Sequence, residues 1–346
     1  MPLRTVDNPP NPWGGPDVEY LGEPPTAALQ VFEDHSRSIV SKNDSPDLGF
    51  DYSVNPYRGC THACAYCYAR PTHTYLDLGA GTDFDRKIVV KPRAAELLRA
   101  VFDRKSWRGG LLLFSGVTDC YQPLEASYKI TRACLQVCAE YRNPVGIITK
   151  APLIERDIDV LTDLAGRAHL AIAVSIPIWD RDVARIIEPG AATPQRRIEI
   201  VRRLAAAGLD VTVNVGPIIP GLSDADIPRI LEAAADAGAK YAVPILLRLP
   251  GVVADVFASR LREGLPLRAE RVLSRQRDIR GGQLNDSRWK RRMVGEGPHA
   301  EAIARLFAAT AARLGLDTMS GMVALSRAST FVRPPRPGEQ LGLAGL

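Results

Sequence analysis

Cysteine is scarce in this chain, and half of what there is lies in one place. Of six cysteines in 346 residues, Cys60, Cys64 and Cys67 share a single short run; Cys120, Cys134 and Cys138 stand far from it in sequence. A disulfide framework belongs to small secreted domains, and this chain is long. A second C-x2-C pair, which a structural zinc site normally needs, is missing, so zinc held by the three thiolates and His62 is the weaker metal reading. Long apolar runs are missing too: Pro, Gly or Arg interrupts each within about ten residues, against the roughly 20 that a spanning helix needs. No membrane association is expected. The amino terminus has seven prolines among its first 25 residues in place of a basic and then apolar leader. The cytoplasm is therefore the expected location, which also suits unpaired thiols.

Charge of either sign is modest overall. The net value is +5, too small to name a partner by itself. Its distribution says more. Residues 260–292 carry eleven Lys or Arg against four acids, a local charge of +7, so the remainder is slightly acidic. With 46% hydrophobic and 24% charged residues, the composition is that of a soluble globular protein with ample capacity for a core.

The cysteine run reads Asn55-Pro56-Tyr57-Arg58-Gly59-Cys60-Thr61-His62-Ala63-Cys64-Ala65-Tyr66-Cys67-Tyr68. A cubane iron-sulfur cluster offers four irons to thiolates, so a C-x3-C-x2-C run with no fourth cysteine nearby leaves one iron open to another ligand. That vacancy is a reaction site.

Beyond the run, short apolar segments alternate with helical patterns. Strands are predicted near residues 53–57, 111–114, 145–148, 170–174, 211–215 and 241–249, with a further short strand at 87–90. Pro244 marks the last as an edge or an irregular strand. Thr193 and Pro194 open a helix, and Ser223 with Asp226 resembles a capping box. Six alternating units predict a parallel sheet with helices outside, a partial (βα)6 TIM-like barrel, short of the eight units that close a full one. The prolines argue against a regular helix or ladder over residues 1 to about 28, and the expected organisation is a proline-rich arm over residues 1–38, the barrel over 39–250, a basic and mainly helical extension over 251–330, and a tail over 331–346.

The cysteine spacing, with Tyr66 just before Cys67, resembles the radical S-adenosylmethionine (radical SAM) superfamily. The flanking Asn55-Pro56-Tyr57-Arg58-Gly59 and Tyr68-Ala69-Arg70-Pro71 are similar to its spore photoproduct lyase-like, or DNA-repair-photolyase-like, subgroup. The resemblance covers roughly residues 39–314. It implies a 4Fe-4S cluster on Cys60, Cys64 and Cys67, with S-adenosylmethionine on the open iron. Reductive cleavage to a 5'-deoxyadenosyl radical follows, driven by a partner such as flavodoxin or ferredoxin.

In such sheets ligands lie at the carboxyl ends of the strands. Gly116, Thr118 and Asp119 end the second core strand, where the resemblance implies contact with the methionyl amine. A turn with an Asx-type hydrogen bond is the alternative. Lys150, Ser175 and Asn214 end the next three and offer a cation, a hydroxyl and an amide to carboxylate and ribose. Tyr66 and the turn at residues 216–221 can meet adenine. Glu188 can bind the ribose diol, or form an ordinary surface ion pair with a neighbouring arginine. Cys120 is a candidate hydrogen-atom donor by analogy with spore photoproduct lyase, or a small buried hydrophobe. Arg288, Lys290, Arg291 and Arg292 are the candidate contacts to DNA or RNA. Modification of a peptide or small molecule competes with base repair, and a non-enzymatic metal-containing nucleic-acid-binding protein is the reading from a different class.

Overall fold

The computed structural model describes residues 4–6, 29–46, 48–289, 291–318 and 329–335. The strands are β1 (Arg4–Val6), β2 (Gln30–Glu33), β3 (Val40–Lys42), β4 (Tyr52–Val54), β5 (Tyr57–Arg58), β6 (Lys87–Val90), β7 (Leu112–Phe114), β8 (Val145–Thr149), β9 (Leu170–Ser175), β10 (Val211–Ile218) and β11 (Tyr241–Leu246).

Six of them, β4, β7, β8, β9, β10 and β11, pair in parallel in that order, with β3 added antiparallel outside β4. Strands β7 to β10 are buried along nearly their whole length, as parallel strands covered on both faces must be. The crossing helices are Ala94–Phe102, Ile130–Glu140, Ile158–Arg167, Pro194–Ala206 and Ile227–Asp236. Each turns an apolar stripe inward, such as Val160, Leu161 and Leu164 of the third. This is the partial TIM-like barrel that the alternation predicted. Strand β11, with Pro244, is its edge.

The structure departs from the sequence reading in three places. The first predicted strand is two: β4 joins the large sheet, while β5 pairs with β6 in a smaller sheet of order β1-β2-β6-β5. The break falls at Asn55-Pro56, where the proline has no N–H to give a ladder and the Asn55 side chain accepts from Val117 N at 2.8 Å instead. Within the proline-rich arm, Arg4–Val6 does pair with β2, because the prolines at 2 and 9 leave the residues between them able to donate. The capping box does not form. Ser223 Oγ accepts from Ile219 N at 3.0 Å to close the turn after β10, and the helix starts later, at Ile227. Thr193 does cap its helix, accepting from Arg196 N at 3.1 Å.

Past the barrel, the helices Val253–Gly264 and Pro266–Asp278 fold back. Their Phe257, Leu261, Val272 and Leu273 share a second core with Cys64, Ala65 and Tyr66. The extension thus packs on the cysteine loop. Helix Gly297–Arg313 returns along β11. Residues 329–335 then dock at the opposite end of the barrel, where Phe331 packs on Phe102 and Tyr141 and Arg333 donates to the carbonyls of Phe102, Arg104 and Trp107.

Candidate active site

The cysteine loop follows β4 and β5 at the carboxyl ends of the parallel strands, and three sets of contacts hold it. Arg70 is almost fully buried and donates from Nε and Nη2 to the Cys64 carbonyl at 3.0 and 2.9 Å. From the end of β7, Thr118 Oγ1 donates to Gly59 O at 2.6 Å. Gln122 gives Nε2 to the same carbonyl at 3.2 Å and takes Thr61 N on Oε1 at 3.3 Å. From the loop after β9, Ile187 O accepts from Ala65 N at 2.9 Å, and Gly190 N donates to His62 O at 3.0 Å. Gly190 must be glycine here: a Cβ would lie 2.1 Å from Thr61 O.

The chemistry of the donor set suits a metal cluster, while among the described residues no three His, Cys, Asp or Glu side chains are gathered closely enough to hold a metal ion. Cys60 and Cys64 are buried and Cys67 partly so. Burial pushes all three thiols up, Cys64 to about 12, and charge on Cys64 or Cys67 would raise Cys60 further, as charge on Cys67 would raise Cys64. Lys150 and Arg197 relieve Cys64 only in part, and Arg70 does the same for Cys67. Thiols in that position ionise when metal replaces their protons. His62, the fourth donor of the zinc reading, instead places Nδ1 3.4 Å from Asp119 Oδ2. Burial pulls its imidazole below the usual range, with Asp119 opposing.

Asp119 is fully engaged. Its Oδ1 accepts from Tyr121 N (2.9 Å) and Thr149 Oγ1 (2.8 Å), and its Oδ2 from Lys150 N (2.8 Å). The carboxylate therefore ties the end of β7 to the end of β8 and touches the cysteine loop through His62. Gly116, at the same strand end, packs beside Asn55 and Ser53, and its carbonyl accepts from Tyr68 OH at 2.8 Å.

Around Glu188 the structure gathers Tyr66, Lys150 and Arg197. Arg197 Nη2 donates to Glu188 Oε2 at 2.7 Å with both side chains fully buried, Tyr66 OH donates to Oε1, and Lys150 Nζ lies 3.9 Å from Oε1 and 5.7 Å from the Tyr66 ring centre. Burial alone would raise the Glu188 carboxyl, but the Arg197 and Lys150 charges outweigh it and hold the group below its ordinary range. The surface ion pair considered for Glu188 is thus a buried one.

Ser175 and Asn214 meet across β9 and β10, Asn214 Nδ2 donating to Ser175 Oγ at 3.2 Å. Asn214 Oδ1 is buried with no partner. Gly216 keeps the space beside it: a Cβ there would lie 2.6 Å from that oxygen.

Cys120 lies fully buried in the main core, its N–H donating to Ser115 Oγ at 3.0 Å. Cys134 and Cys138 are buried in the same core.

The basic segment is neutralised in part: carboxylates hold Arg262, Arg275, Arg288 and Arg291. Arg288 pairs with Asp286 (2.6 Å) and Glu296 (3.1 Å), and Arg291 with Glu296. Arg262 pairs with Glu270 at 2.9 Å. Arg292 donates to Ser45 and lies 5.3 Å from the Trp289 ring centre. Lys290 is outside the described residues. The +7 count stopped at residue 292, four short of the acid that takes two of these arginines.

Sequence reasoning passed over the roles of Gln122 and Arg70 in bracing the loop, and it expected the Glu188 ion pair at the surface rather than buried with Arg197. The one available signal was Gln122, four residues after Thr118 in the same strand-end motif.

Residues 54–234, more than half of the chain, match the profile of the Radical SAM superfamily. The chain belongs to that superfamily. It is 38% identical over 234 residues to an uncharacterized protein of Mycobacterium tuberculosis (strain ATCC 25618 / H37Rv), covering 67% of this chain and 68% of that one. It is 26% identical over 235 residues to a radical SAM Nalpha-GlyT isomerase of Pseudomonas phage M6, covering 66% of this chain and 46% of the isomerase. Among solved structures, spore photoproduct lyase complexed with dinucleoside spore photoproduct superposes with a TM-score of 0.60 at 15% identity, over 83% of this chain and 81% of the lyase. At that identity the likeness is one of fold. The chain is a radical SAM enzyme, and among its described residues no helix is long and apolar enough to cross a membrane.

Proposed function

We propose that this radical SAM enzyme holds a 4Fe-4S cluster on Cys60, Cys64 and Cys67, binds S-adenosylmethionine at the open iron, and acts on a nucleic-acid base. The observation that carries the reading is the three-thiol loop at the mouth of six parallel strands whose next ends present Lys150, Ser175 and Asn214. When bound and reduced, cluster and S-adenosylmethionine supply a 5'-deoxyadenosyl radical.

The chain's own residues orient and enclose. Thr118, Gln122 and Arg70 fix the loop backbone. Lys150, held by Glu188, offers a cation to the methionyl carboxylate. Asn214 offers an unused amide oxygen to a hydroxyl or exocyclic amine, beside a glycine that lets the ligand approach. Asp119 and Thr118, both committed to protein donors and acceptors, act on the ligand by positioning Lys150 and the loop. Residues 39–250 hold the chemistry, and helices Val253–Gly264 and Pro266–Asp278 wall the cysteine loop. A reductant such as flavodoxin or ferredoxin supplies the electron, and the cytoplasm is the compartment.

A nucleic-acid substrate is supported by the fold shared with a lyase that binds a dinucleoside photoproduct, and by the arginine-bearing segment beside the strand ends. The test is anaerobic reconstitution followed by iron, sulfide and 5'-deoxyadenosine analysis. Iron and sulfide near four per chain, with reductant-dependent 5'-deoxyadenosine, are expected from a cubane cluster. Zinc without labile sulfide overturns the reading.

A further inference from the structure

Glu188 touches the cysteine loop through one carboxylate oxygen. Its Oε1 lies 3.9 Å from Cys64 Sγ and 3.9 Å from Lys150 Nζ and accepts from Tyr66 OH, while Oε2 takes Arg197 Nη2 at 2.7 Å. Two cations and one anion thus form a single chain of contacts that ends on the middle sulfur of the motif. The Glu188 and Arg197 side chains are fully buried, and Lys150 keeps only 17% of its side chain exposed.

The backbone fixes all three charges relative to the loop. Ala65 N, next to Cys64, donates to Ile187 O, next to Glu188, at 2.9 Å. Arg197 gives Nε to Ala192 O at 2.8 Å and Nη1 to Ser175 O at 3.2 Å. Lys150 N is held on Asp119 Oδ2 at 2.8 Å. Charges placed this firmly and this far from water act on a neighbouring group more strongly than surface charges do. As a source of stability the arrangement is poor, because desolvating buried ions offsets most of their attraction.

Resting on the cluster reading above, we propose that Glu188 sets the reduction potential of a cluster held by Cys64, by offsetting the charges of Lys150 and Arg197. The potential of an iron-sulfur cluster follows the net charge around it and the groups behind its ligands. Lys150 serves the methionyl carboxylate, yet a cation beside the cluster makes it easier to reduce and so a weaker electron donor. Arg197 acts in the same sense. The Glu188 carboxylate opposes both, which keeps the reduced cluster able to pass its electron to S-adenosylmethionine. In the step that Glu188 tunes, the reductant loses one electron, the cluster gains it, and no bond or proton moves at the carboxylate.

The test is potentiometric titration of the reconstituted full chain without S-adenosylmethionine, followed by electron paramagnetic resonance, with iron content measured in every variant. Glu188→Gln keeps the shape and removes the anion, so its midpoint should move to more positive values. Lys150→Met removes a cation and should move the midpoint to more negative values. The double variant Glu188→Gln, Arg197→Met removes one charge of each sign and should return to the parent's midpoint. Should the unpaired Arg197 prevent Glu188→Gln from folding, Lys150→Met and the double variant decide by themselves. An unmoved midpoint in Lys150→Met, or a double variant displaced from the parent, overturns the proposal. Single variants that shift in the same direction also overturn it, since that is the mark of a loosened loop rather than of charge. A parent with no labile sulfide and no resonance on reduction overturns instead the cluster reading on which the proposal rests.

Discussion

Arg70 and Cys64 are joined by two hydrogen bonds to one carbonyl, from Nε and Nη2 of a guanidinium that also donates to Ala80 O, Gly81 O and Asp85 Oδ1. One buried cation therefore holds the middle cysteine of the motif against residues 80–85. Removing it strands several buried acceptors and a buried carboxylate. Arg70→Met is expected to cost about 3–5 kcal/mol of stability and to lower iron per chain after reconstitution, read by denaturation and metal analysis. Unchanged iron loading in a folded variant would return Arg70 to a purely structural role.

Asp85, the acid facing Arg70, gives a pH signature. Burial pushes its carboxyl up from 3.8 to about 6, with Arg70 pulling back. The folded state then binds an extra proton between about pH 4 and 6. Stability falls as pH rises through that window, by up to about 1.4 kcal/mol per pH unit, and is flat above it. Urea denaturation of the parent and Asp85→Asn across pH 4.5–6.5 is expected to show the parent losing this advantage over the variant as pH rises.

Each of Cys60→Ala, Cys64→Ala and Cys67→Ala is expected to abolish reconstitution, since in the proposed cluster each thiolate would hold one iron. Cys134→Ala, a buried core position, should keep full iron and sulfide and lose about 1 kcal/mol as a small cavity. A full cluster in the Cys60→Ala protein would overturn the ligand assignment.

Asp119→Ala is expected to behave as a brace mutant. Its carboxylate receives three protein donors, and losing charge-assisted bonds at a site about nine-tenths buried costs about 2–4 kcal/mol. Both melting temperature and iron loading should drop, with Asp119→Asn intermediate. Loss of S-adenosylmethionine affinity at parental stability would instead mark direct contact with the ligand.

Asn214→Ala separates binding from folding. The variant removes a buried acceptor that has no partner together with one hydrogen bond to Ser175 Oγ, so stability should stay within about 1.5 kcal/mol of the parent. Affinity of the reconstituted protein for S-adenosylmethionine, measured by equilibrium dialysis, should fall roughly 5- to 150-fold, the worth of one or two lost polar contacts at about 1–3 kcal/mol. Parental affinity would remove Asn214 from the site.

Local signals carried most of the barrel and the cysteine loop. Strands β7 to β10 were visible because a strand buried on both faces reads as a short apolar run, and Lys150, Ser175 and Asn214 because each sits where such a run stops. What stayed hidden depended on partners distant in sequence or on a side chain's destination. Nothing in the local pattern at Glu188 indicates that Arg197, one helix later, will bury with it. Ser223 and Asp226 have the spacing of a cap, yet a backbone N–H four residues before Ser223 claims its hydroxyl. The charge of residues 260–292 was legible as a count but not as a field, because which four of its eleven cations meet carboxylates, Glu296 just outside it among them, is set by the fold.

The docking of residues 329–335 against Phe102, Trp107 and Tyr141 bears on how the protein is made. A chain emerges from the ribosome amino-terminus first, so this aromatic floor is synthesised more than 180 residues before the segment that covers it. From completion of the last barrel strand at Leu246 until that segment emerges, it is expected to be an exposed apolar patch. Slow translation late in the message, or truncation ahead of Ser329, should therefore yield an aggregation-prone protein whose cluster loop is intact.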